Sequence, residues 1–213
     1  MSLMCRAAVA ALAAALAACS PSTQPNLSSI PAAATEQGRQ AADEAPGSNP
    51  EQLVAPAAVE AFEMYCYQTN ASYDLALRMV EAMGLVRLED KFDPMVAPLQ
   101  GAGTAYYIEV DAEADRLMLL GLNERGACSV FAKGYDDRAI RQSMLDNYNL
   151  KHMMTDDAGL QINEAFIPNG VNGTIGEAAA NGMIGITTAK TGPGITVAYV
   201  SPEAAQEIFS QHP

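Results

Sequence analysis

Tryptophan is absent from the 213-residue sequence, histidine occurs twice, and 12 Lys and Arg face 25 Asp and Glu. Each shortage excludes something. With His212 one residue from the chain end, no His-rich zinc site can be assembled. The basic deficit, a formal charge of -13, rules against nucleic acid, because phosphate binding needs a cationic surface. No G-x-S-x-G elbow occurs, so nucleophilic serine chemistry lacks its usual turn. No C-x-x-C pair occurs, so a redox or metal couple of that type is missing. Nothing points to a cofactor. What remains is a hydrophobic content of 49% with 17% charged residues, enough to bury a core and fold.

The apolar material is unevenly placed. Residues 7–18 are twelve uninterrupted apolar residues behind Arg6, which reads as a secretory h-region. At about 1.5 Å per residue this run is too short for a bilayer core of roughly 30 Å, and no second run approaches spanning length. It ends Leu16-Ala17-Ala18-Cys19, which resembles the lipobox of bacterial lipoprotein precursors. That resemblance implies cleavage after Ala18, acylation of Cys19 (palmitate among the chains) and a lipid bilayer as partner. Each buried CH₂ contributes about 0.8 kcal/mol, so two or three chains anchor almost permanently. Ser20 follows the cysteine, and by the same resemblance the absence of Asp there favours the outer membrane, facing the periplasm. The alternative is an ordinary signal peptide with Cys19 incidental.

Residues 19–54 then form a lipid anchor and tether. Five prolines (21, 25, 31, 46, 50) and no aromatic residue occur there, the composition of a disordered linker. About 35 flexible residues span on the order of 30–35 Å. Loss of Arg6 with the signal leaves 11 basic against 25 acidic residues, so the exported part sits near -14. Residues 55–213 are read as one domain.

Of four cysteines, Cys5 leaves with the signal and Cys19 is taken by lipid, which leaves Cys66 and Cys128. An oxidising compartment lets them pair. Closing that loop stabilises by about 4 kcal/mol on the chain-entropy account. Two free thiols are the alternative.

Helical spacing of Val59, Phe62 and Cys66 predicts a helix behind Pro56 that ends near Gln68. Ser72 can cap a second helix in which Leu75, Met79, Met83, Ala76 and Val80 share a face and which stops at Gly84. Strand-like runs follow at 105–110, 116–122 and 127–133, joined by short polar links that suit hairpins. Asp136 or Asp137 starts a third helix along Ile140, Met144 and Tyr148. Runs 150–154 with 160–167, and 182–190 with 195–200, read as two more hairpins. Ser201-Pro202 opens a last helix. The order α-βββ-α-βββ-α predicts an α+β domain, an antiparallel sheet of about six strands with helices packed on one face. The halves suggest a loose repeat. Residues 169–181, with two Asn-Gly steps, read as a mobile irregular loop, because no Lys or Arg supports a phosphate cradle there.

Lys151-His152-Met153-Met154 carries soft ligands suited to Cu(I), but Met spacing favours core packing. Met64, Met79, Met83, Met118, Met144 and Met183 are read as apolar filler, with Met153 and Met154 on opposite sides of a strand. Eight tyrosines could line an interface or sit half-buried in helices and sheet.

Phe62-x-x-x-Cys66 on a helix and Gly126-Ala127-Cys128-Ser129-Val130-Phe131 on a strand resemble a family of small bacterial envelope proteins to which no activity is assigned. The resemblance spans roughly residues 57–148 and implies the Cys66–Cys128 pairing. It brings no catalytic residues.

Three functions follow as expectations. The first is a non-enzymatic, membrane-anchored envelope lipoprotein that binds a protein or the cell wall through an exposed apolar or Tyr patch. The second is an acidic inhibitor or immunity-type protein against a basic envelope-damaging enzyme, with Asp111, Glu113, Asp115, Asp136 and Asp137 on one face. The third is a hydrolase with His152 beside a carboxylate and a hydroxyl. The sequence leans to the first and against an enzyme.

Overall fold

The computed structural model describes residues 57–88 and 103–211. The signal, Cys19 and the tether lie outside the described residues. Helix α1 runs over 57–62 and continues as a π-helix, Glu63–Tyr67. Then come α2 (Tyr73–Met83), β1 (Val86–Arg87), β2 (Gly103–Asp111), β3 (Arg116–Asn123) and β4 (Ala127–Lys133). Helix α3 (Asp137–Tyr148) leads into β5 (Leu150–Asp157), β6 (Gln161–Pro168), α4 (Ile175–Asn181), β7 (Met183–Ala189), β8 (Ile195–Val200) and α5 (Pro202–Gln211).

The domain is α+β with one antiparallel sheet, of eight strands rather than about six. The order is β1-β2-β3-β4-β8-β7-β6-β5. In the first half α1 and α2 precede the neighbouring strands β1–β4, in the second α3 precedes β5–β8 with α4 between β6 and β7, and the halves meet where β4 pairs with β8. All seven strand-like runs read from the sequence are strands, one more than the α-βββ-α-βββ-α order allowed, and the eighth, β1, spans only two residues, too few for a periodic pattern.

Alternation divides the strands between two faces. Met118, Leu120, Cys128, Val130, Ile184, Ile186, Val197 and Tyr199 pack with Phe62, Ala76, Val80, Ile140 and Met144, so α1, α2 and α3 cover this face. Their neighbours Ala127, Ala165, Ile167, Met183 and Val200 pack instead with Ala178 of α4 and Ala204 and Ala205 of α5. Helices therefore lie on both faces, which corrects the one-face expectation. A row of small residues, Ala105, Gly121, Ser129, Ala198, Gly185 and Ala165, crosses six strands in register on the α4/α5 face. Such residues let a covering layer approach the backbone closely.

The caps explain the boundaries. Gly84 ends α2 at φ 67°, Asp136 accepts from the amides of Arg138 and Ala139, and Ser201 Oγ accepts from Ala204. Ser72 occupies the N-cap of α2, but its hydroxyl makes no cap bond. Residues 169–181 are not simply a loop, which corrects that expectation. Thr174 and Glu177 form a capping box that starts α4, and the Glu177 carboxylate also accepts from the amides of Val171, Asn172 and Gly173. The Thr174 amide first, and then those of Val171, Asn172 and Gly173, hold the Glu177 carboxyl below the usual glutamate range.

Candidate functional site

The site is built around the disulfide. Cys66 and Cys128 are bonded, with Cα atoms 5.2 Å apart, and both side chains are fully buried. The bond ties the π-helix to β4. Register then places Tyr199 of β8 opposite Cys128. Its hydroxyl donates to Asn70 Oδ1 at 3.0 Å, so one cross-strand pair grips the chain at residue 66 and again at residue 70.

Between those grips the backbone leaves the helix in an unusual way. Gln68 N–H donates to the carbonyl of Glu63, the five-residue step of a π-helix, and Ala71 N–H donates to that of Cys66. The Thr69 hydroxyl donates to the carbonyl of Tyr65 at 2.7 Å. Asn70 and Ala71 then sit at φ 53° and 52°, the left-handed region that L side chains avoid, with Ala71 buried. A strained pair of this kind persists only where its surroundings over-determine it, and strain of this kind concentrates at functional sites.

The strained turn forms one wall of a polar cleft of about 460 Å³. Asn70, Ser72, Tyr73 and Asp74 line it from the α1–α2 turn, Glu124 and Gly126 from the β3–β4 turn, and Ser201 and Glu203 from the start of α5. Pairing of Ala127 with Val200 brings the last two walls together. Gly126, at φ +78°, is needed there, since a Cβ would lie 2.7 Å from Ser201 Oγ. Three lining residues, Asp74, Glu124 and Glu203, carry carboxylates, and none of the lining residues is a cation. The cleft can accept hydrogen bonds from an ammonium, a guanidinium or an amide donor.

The Tyr199 hydroxyl that reaches Asn70 belongs to a tyrosine cluster. The Tyr67 ring meets Tyr148 at 4.8 Å and Tyr199 at 5.2 Å, both edge-on, and the Tyr148 hydroxyl donates to the Glu63 carboxylate. Burial pushes the Tyr199 phenol up to about 12, and it raises Tyr67 and Tyr148 too, with Glu63 adding to both. All three stay protonated at neutral pH, and Tyr148 and Tyr199 act as hydrogen-bond donors. Tyr65, Tyr106 and Tyr135 are also buried, so most of the tyrosines belong to the core and do not form an exposed patch; Tyr73 alone of the tyrosines lines the cleft. The exposed apolar residues nearest in sequence are Met64 on the π-helix and Leu75 and Met83 on α2. Helix α2 also supplies Tyr73 and Asp74 to the cleft.

The other sequence candidates have structural work. Asp111 accepts from Glu113 N, Ala114 N and Arg116, and Asp115 pairs with Lys133. Asp136 caps α3, and Asp137 accepts from Gly194 N. His152 lies on the edge strand β5, where its Nε2 is 2.8 Å from Thr155 Oγ1 and its ring stands edge-on to Phe166. The nearby Glu164 carboxylate is taken by Arg141, through Nε and NH2 at 2.7 Å each. Met118, Met144 and Met183 are core residues, but Met64 and Met83 are exposed, which corrects their reading as filler. Met153 and Met154 both pack on the α4/α5 cluster, because a bulge between His152 and Met154 breaks the alternation expected of them. Among the described residues no group of three or more His, Cys, Asp or Glu is placed to hold a metal ion, and no helix is long and apolar enough to cross a membrane.

Sequence reasoning missed the cleft. Asn70-Ala71-Ser72 between two helices was a turn signal, but nothing in the sequence joins it to 124–126 and 201–203. No family model, curated protein or solved structure matches the chain.

Proposed function

We propose that this protein is an exported lipoprotein held on a membrane of the cell envelope through acylated Cys19, and that its α+β domain is a binding module. The acidic cleft receives a cationic or amide-bearing group of a protein or cell-wall partner. The observation that carries this reading is the cleft itself, three carboxylates against a strained Asn70-Ala71 turn pinned by a buried disulfide. Strain held by a covalent tie preorganises a surface, and preorganisation lowers the entropic cost of binding. The disulfide also suits an oxidising compartment, in keeping with the Leu16-Ala17-Ala18-Cys19 lipobox and an outer-membrane, periplasm-facing location.

The test is a pull-down from detergent-solubilised envelopes with the lipidated protein as bait. Two controls accompany it, Cys19→Ala and the triple variant Asp74→Asn, Glu124→Gln, Glu203→Gln. A partner captured by the parent and lost by the triple variant supports the cleft; a partner kept by that variant moves binding elsewhere. Detergent phase partition reads the anchor separately, since Cys19→Ala should pass to the aqueous phase. A basic hydrolase inhibited on capture would turn the reading to the inhibitor class.

A further inference from the structure

We draw no further inference here: the strongest candidate, the row of small residues crossing the α4/α5 face of the sheet from Ala105 to Ala165 beside the buried, unpartnered Asn163 amide, carries none because its Ala165 end packs under α4 and α5 and nothing among the described residues shows what covers the rest.

Discussion

Asn70 is the residue on which the candidate site turns, because it holds a left-handed backbone and also receives the Tyr199 hydroxyl. These two roles separate by substitution. Glycine tolerates φ 53° freely, so Asn70→Gly loses mainly the hydrogen bond, about 1 kcal/mol. Alanine loses the same bond and adds left-handed strain, for a total of about 2–3 kcal/mol. Urea unfolding of both variants should therefore rank the parent above Gly and Gly above Ala. If alanine proves as stable as glycine, the turn is not strained and the argument for a preorganised cleft loses its footing. Asn was visible in the sequence as a turn former, but its partner, 129 residues away, was not.

At the scale of elements, two ties fasten the helical layer to the sheet, and each makes a prediction. Arg141 of α3 grips Glu164 of β6 through two charge-assisted hydrogen bonds, with the glutamate side chain 15% exposed and the arginine 37%. Discounted for that exposure, the pair contributes about 1 kcal/mol at neutral pH, which Glu164→Gln should remove. The Arg141 guanidinium holds the Glu164 carboxyl below the usual glutamate range. A lowered folded pKa means that the contribution is present above the ordinary glutamate value and is lost as pH falls through the folded one. The stability gap between parent and variant should thus shrink on acidification, and a pH-independent gap would show that charge is not its source. The second tie, Cys66–Cys128, closes a separation of 62 residues, and Cys66→Ser with Cys128→Ser should cost about 4 kcal/mol in denaturant unfolding. Both cysteines and the caps at Gly84, Asp136 and Ser201 were legible because they act locally or by elimination. The α4/α5 face was not, since Ala127, Ala165, Ala178, Ala204 and Ala205 carry it and alanine gives no clear hydrophobic period.

For the molecule as a whole, composition foretold the acidity and the order of helical and strand patterns an α+β domain with an antiparallel sheet, but the place where acidity gathers depends on topology. Asp74, Glu124 and Glu203 are far apart in the chain and line one cleft because β4 pairs with β8, which brings the last two together, and because Cys66–Cys128 and Asn70–Tyr199 hold the α1–α2 turn against those strands. Elsewhere the carboxylates Asp111, Asp115, Asp157 and Glu164 each face an Arg or Lys, so those regions are locally compensated, and Arg125, in the turn between Glu124 and Gly126, pairs with Glu207 of α5. The cleft lining has no such cation. A cationic partner would be steered to it by the field of the whole protein and held there at short range. The Debye length falls from about 10 Å at 0.1 M salt to about 3 Å at 1 M, so steering fades over that range while close contacts persist. Association with a captured basic partner, followed by stopped flow, should slow about tenfold between 0.05 and 0.5 M salt, with a smaller change in dissociation. The triple carboxylate variant should show a shallower salt slope as well as a slower rate. Equal slopes for parent and variant would place the attraction in the diffuse negative charge of the chain and remove the cleft from the encounter.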